Sequence, residues 1–160
     1  MHQNITPMKK ENNLPQIENF LKLRSFALFG ASANKKKFGN HILAGLTKKN
    51  YKVFIMHRRA NFIDGQKAYS SFKELHEKPE GAILVIPPAE TEHVINDIIA
   101  AGIKNIWFQQ GAESEKAVRY CILNGINVIS GECLLMFLDH PGFPHNLHKW
   151  IWSMTHRASG

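Results

Sequence analysis

Cysteine is scarce in this chain: Cys121 and Cys133 are the two in 160 residues. They are too few and too far apart for a disulfide framework or a metal knuckle, and both are expected as small buried hydrophobes. No apolar run reaches the roughly 18 to 20 residues that cross a bilayer. The opening MHQNITPMKKENN lacks the apolar core of a secretory signal, which points to a cytoplasmic chain without a membrane partner. Internal repeats, low-complexity tracts and long linkers are missing too. What is present, 44% hydrophobic and 21% charged residues, suits one globular domain of ordinary size.

The formal net charge is +7, with local concentrations at Lys35-Lys36-Lys37, Lys48-Lys49 and Arg58-Arg59. None of these alternates with aromatics as a single-strand platform does, so a nucleic-acid partner is not expected. A small phosphorylated ligand also answers to a basic chain.

From Leu14 onward the pattern is regular. Helices are expected over Leu14–Leu23, Phe38–Lys49, Ser70–Glu77, Glu90–Ala101, Ser114–Asn124 and Glu132–Leu138, with a further one over Asn146–His156. Strands are expected at Ser25–Phe29, Tyr51–Met56, Ala82–Ile86, Lys104–Phe108 and Ile126–Ile129, with Gln66–Tyr69 as a weak edge strand. Alternating strands and helices imply parallel crossovers. The expected fold is therefore α/β: a Rossmann-like, doubly wound parallel sheet of order 3-2-1-4-5 with helices on both faces. Residues 1–13 read as a flexible lead, 14–144 as the domain and 145–160 as a helical extension. In that extension, Trp150-Ile151-Trp152 suits packing against a second copy or a partner protein. Ligands of such sheets lie beyond the carboxyl ends of the strands, which singles out Gly30, His57 and Pro87.

After the first strand comes Gly30-Ala31-Ser32-Ala33-Asn34-Lys35-Lys36-Lys37-Phe38-Gly39-Asn40. A small residue at a strand end lets backbone N–H groups approach an anion, and the next helix aims its positive end there. Ser32 and Asn34 add side-chain donors. This is not the G-x-G-x-x-G fingerprint, because Ser32 replaces its second glycine and the loop is longer. The second strand ends in His57-Arg58-Arg59, where an NAD site would carry an acidic residue. Arginine forks suit a ribose phosphate, which coenzyme A carries at the 3′ position and NADP at the 2′ position.

GASANKKKFGN resembles the opening of the coenzyme A-binding domain of ADP-forming acyl-CoA synthetases and of the succinyl-CoA synthetase α subunit. VIPPAETEHVINDIIAAGIKNIWF resembles the strand, proline turn, helix and next strand of the same domain, and the likeness runs from about Ser25 to about Leu138. The resemblance implies that coenzyme A, or an acyl-CoA, is the ligand. Its phosphates would lie on Gly30, Ala31, Ser32, Asn34, Lys37, Phe38, Gly39 and Asn40, and its adenosine portion at His57, Arg58 and Arg59. The wall beyond would be lined by Ile86, Pro87, Pro88, Gln110 and Gly111. Where the synthetases carry Gly-Pro-Asn-Cys, this chain has Ser130-Gly131-Glu132-Cys133. The phosphohistidine and nucleotide-grasping parts of those enzymes lie in later domains, so the resemblance implies a stand-alone binding protein without ligase activity. An NADP-dependent oxidoreductase or redox sensor is the alternative.

Candidates for acid–base or nucleophilic work are His41, His57, His93, His140 and Cys133, and none has a partner at catalytic spacing. His140, His145 and His148 flank Pro141-Gly142-Phe143-Pro144 with Asp139 as the one carboxylate near them, so no metal is expected.

Overall fold

The computed structural model describes residues 14–139. The expected helix over Asn146–His156, the 1–13 and 145–160 segments and the histidines from His140 onward lie outside the described residues.

Among the described residues there are five α-helices: α1 (Leu14–Leu21), α2 (Phe38–Lys48), α3 (Pro88–Ala100), α4 (Glu115–Leu123) and α5 (Leu134–Leu138). They alternate with β1 (Ser25–Phe29), β2 (Lys52–Met56), β3 (Phe62–Ile63), β4 (Gln66–Tyr69), β5 (Gly81–Leu84), β6 (Asn105–Gln109) and β7 (Asn127–Glu132). The sheet runs β3-β4-β2-β1-β5-β6-β7. All neighbours are parallel except β3 and β4, which pair antiparallel.

The α/β class and the doubly wound order hold, with a correction at both edges. Counting parallel strands alone, the order is 3-2-1-4-5-6: the strand expected at Ile126–Ile129 takes the outer place that the order 3-2-1-4-5 left out, and β3 adds an antiparallel edge. β3 is a hairpin partner of β4: Ile63 faces Gln66, and Asp64-Gly65 between them sits at φ 49° and 75°. Asp-Gly is the dipeptide that a two-residue primed turn selects, because both central residues need positive φ.

The sheet buries both faces because its strands are apolar on both. On β1, Phe26 and Leu28 pack with α1, α2 and α5 residues such as Phe20, Ile42 and Phe137. Ala27, between them, joins Phe54, Leu84, Ile98, Phe108 and Cys121 on the face covered by α3 and α4. The period of two along the strand assigns neighbours to opposite layers. Each fully buried aliphatic chain here contributes about 2 kcal/mol.

The helix expected over Ser70–Glu77 is a 3-10 turn over Phe72–Glu74 only. Local hydrogen bonds win: Ser71 Oγ accepts from the Lys73 N–H, and Ser70 Oγ donates to Glu74 Oε1 at 2.5 Å. Pro79 then disfavours helical backbone at Lys78. Cys121 is buried, but Cys133 is half-buried at the head of α5, where it leads the chain out of β7.

Candidate functional site

The first crossover is built around two backbone approaches. Gly30 has φ 121°, and a Cβ there would run into the Val85 carbonyl, whose carbon would be 2.8 Å away. A Cβ on Gly39 would collide with the Gly30 carbonyl and lie 2.9 Å from the Ala31 nitrogen. Glycine at both positions lets the first turn of α2 rest directly on the backbone leaving β1. The loop between them is laced by one amide. Asn40 Nδ2 donates to the carbonyls of Ser32 (2.8 Å) and Asn34 (2.9 Å), while its Oδ1 accepts from the Ser32 N–H (2.9 Å). Asn34 Oδ1 accepts from the Lys36 N–H at 3.1 Å, and Ser32 Oγ accepts from the Asn34 N–H at 3.1 Å. Lys37 is the N-cap of α2 and makes no side-chain capping bond.

Two clefts meet over this crossover. One, of about 480 Å³, is bounded by the β1 loop, the end of β2 and α3; Ser32, Lys37, Arg58 and Arg59 line it, with Met56 and Val94 apolar beneath. The other, of about 330 Å³, runs over Phe38, Gly39, Gln110 and Gly111. Gly30, Lys37, Val85, Ile86 and Pro87 belong to both, so together they make one groove across the carboxyl ends of β2, β1, β5 and β6. That is the switch point of the sheet, where the strand order reverses.

The groove brings together Gly30, Ala31, Ser32, Lys37, Phe38, Gly39, His57, Arg58, Arg59, Ile86, Pro87, Gln110 and Gly111. Asn34 and Asn40 sit behind it as braces. Pro88 occupies the first position of α3, where its missing N–H costs the helix nothing.

Sequence reading overlooked Glu90 and Asp97, which line the first cleft from α3. Their spacing with Val94 is one helical face, a signal the sequence does carry. Among the described residues no ion pair joins these carboxylates to Lys37, Arg58 or Arg59; the three pairs found lie elsewhere. The groove thus offers unspent positive charge on one wall and unspent carboxylates on another. Beside it, Ser70 lowers the Glu74 carboxyl below its usual range through its hydroxyl hydrogen bond.

The second cleft is lined in addition by Gln109, which is buried, and whose Oε1 accepts from the Leu134 N–H at 3.0 Å. Buried Thr91 donates to the Ala112 carbonyl at 3.0 Å, tying α3 to the same loop. A Tyr-x-x-x-Lys spacing of the kind reductases place on a helix occurs at Tyr69 to Lys73, but it leaves the end of β4 and enters the 3-10 turn. The two side chains therefore share no helical face. Among the described residues no group of three or more potential ligands gathers as a metal centre.

The sequence profile of the CoA binding domain matches residues 24–139. The chain belongs to that family. It is similar to the α subunit of the ADP-forming acetate–CoA ligase II of Pyrococcus furiosus, 25% identical over 135 residues, covering 78% of this chain and 30% of that protein. It thus spans under a third of this curated relative. Among solved structures, a conserved hypothetical protein from Pyrococcus furiosus is 36% identical with a TM-score of 0.66, over 71% of this chain and 97% of that one. The apo form of a dinucleotide forming acetyl-coenzyme A synthetase 1 from Ca. Korarchaeum cryptofilum is 26% identical with a TM-score of 0.61, over 71% of this chain and 27% of that one. A hypothetical protein from Pyrococcus horikoshii OT3 shares the fold, with a TM-score of 0.75 at 23% identity over 85% of this chain and 95% of that one.

Proposed function

We propose that the chain is a binding module that holds coenzyme A or an acyl-CoA along the groove and does not ligate acyl groups itself. The observation that carries this reading is the junction of two clefts over Gly30 and Pro87, beside an uncapped helix N-terminus, in a chain of the CoA-binding family. The pyrophosphate lies on the Gly30–Asn40 loop, where the head of α2 supplies N–H groups and positive potential. Arg58 or Arg59 takes the 3′-phosphate. Pantetheine runs past Pro87 toward Gln110 and Gly111. The reading places the protein in the cytosol, with the 145–160 segment as the surface for a second copy or a partner protein.

Calorimetric titration with coenzyme A, NADP⁺ and NAD⁺ side by side tests it. Coenzyme A should bind most tightly, and at least about tenfold more tightly than its 3′-dephospho form, the worth of one charge-assisted phosphate contact. Tighter binding of NADP⁺ overturns the ligand assignment. Incubation with acetate or succinate, ATP and coenzyme A should yield no thioester above background, and turnover by the pure chain refutes the binding-only role.

A further inference from the structure

We infer that His57 is a positioning residue whose ring nitrogen shapes the turn that carries Arg58 and Arg59. The inference rests on the coenzyme A reading only for its effect on affinity. His57 follows the last residue of β2, and its own N–H stays on the sheet edge, donating to the Tyr69 carbonyl at 2.8 Å. Its Nδ1 accepts from two backbone N–H groups ahead of it, those of Arg59 (3.2 Å) and Ala60 (3.0 Å). Bonds from one side chain to residues two and three positions on are what Asn and Asp make in Asx turns. The histidine achieves the same with Nδ1, an atom as far from Cβ as the Oδ1 of asparagine.

Two consequences follow. An Nδ1 that accepts carries no proton, so the ring proton sits on Nε2. The turn, in addition, is the part of the arginine pair that is held in place. Both arginines are exposed, and among the described residues neither guanidinium has a hydrogen-bond or ion-pair partner. Ordering such long side chains on a phosphate costs rotamer entropy, which a fixed backbone limits. His57 lines the same cleft and yet spends Nδ1 on the backbone, so its first task is the shape of the turn.

The test combines binding with amide exchange in the full chain. His57→Ala should lower about tenfold the ratio by which coenzyme A is preferred over its 3′-dephospho form. His57→Asn, with its acceptor in the same place, should restore the wild-type ratio, whereas His57→Gln, with the acceptor one bond further out, should not. Hydrogen exchange at Arg59 and Ala60 should be slow in wild type and in His57→Asn, and fast in His57→Ala. Unchanged protection in His57→Ala overturns the inference whatever binds, as does a His57→Asn protein that discriminates no better than His57→Ala. A wild type that ignores coenzyme A while those amides depend on residue 57 supports the turn and sinks the binding reading instead.

Discussion

Three helices that start at the carboxyl edge of the same sheet do not start alike. α4 is closed by a serine: Ser114 Oγ accepts from the Ala117 N–H at 3.2 Å and donates to Glu92 on α3 at 2.6 Å. α2 begins at Lys37, which caps nothing, and so does α3 at Pro87. The first N–H groups of a helix need acceptors, and a serine or aspartate normally supplies one. The groove lies at the heads of α2 and α3 and not at that of α4. An anion at an open head would meet no built-in cap competing for the same N–H groups, whereas the head of α4, outside the groove, takes its acceptor from Ser114.

The strongest way to break the contrast is to lift α2 off its seat. Gly39→Ala puts a methyl group into the Gly30 carbonyl, a backbone atom with little room to yield. The substitution should destabilise the fold by about 3 kcal/mol, the upper end for overpacking, and abolish coenzyme A binding. Thermal melts and titration read the two effects. A Gly39→Ala protein that melts and binds as wild type would mean that the close approach does not shape the site.

Next in size is the capping of α2 from within. Lys37→Asp gives the helix an N-cap carboxylate, worth about 1 kcal/mol of stability. The same carboxylate occupies the anion position and removes a cation, so coenzyme A affinity should fall by about a hundredfold, the equivalent of losing two tenfold contacts. Stability and affinity should thus move in opposite directions. A variant that gains stability and keeps its affinity shows that the phosphates do not use this helix.

How much of this the sequence disclosed depends on the range of the interactions. The apolar runs at Phe26–Leu28 and Ile83–Leu84 and the stripe Thr91, Val94, Ile95, Ile98 mark β1, β5 and α3 within two residues, because burial there follows a period the chain itself carries. The Gly30–Asn40 crossover from β1 to α2 was legible for the same local reason. β3 was not, although Asp64-Gly65 announced a hairpin: two residues are too short for a period, and Phe62 is 66% exposed. Nor was the lacing role of Asn40, which acts eight residues back on Ser32. Gln109, bonded to Leu134 across 25 positions, is a still longer case. Contacts that turn on which loop lies above which strand end have no signature in spacing.

The opposite helix head gives a third, smaller effect. Ser114→Ala should cost about 1 kcal/mol of stability, read as a lower melting temperature, with coenzyme A affinity unchanged. The lost acceptor leaves the Ala117 N–H without its cap, at the one helix head of the three that lies outside the groove. Weaker coenzyme A binding in this variant would erase the distinction between capped and open heads.

The smallest effect is expected at the amino edge, far from the groove. Tyr51, just before β2, donates its hydroxyl to the Leu21 carbonyl at 2.5 Å, and burial pushes its phenol from the usual 10.0 up to about 12. The folded chain therefore holds this proton more tightly than the unfolded chain does. Its contribution to stability is complete below pH 10 and is lost as the pH rises toward 12. The ring is partly exposed, so solvent screening keeps the contribution below about 1 kcal/mol. The comparison with Tyr51→Phe removes every other pH-dependent contribution from the difference. Denaturant melts between pH 9 and 12 should show a steeper loss for wild type than for Tyr51→Phe, and equal slopes would place the phenol outside the folding equilibrium. Coenzyme A affinity at neutral pH should be the same in both proteins, because this edge packs α1 against the sheet and presents nothing to the groove.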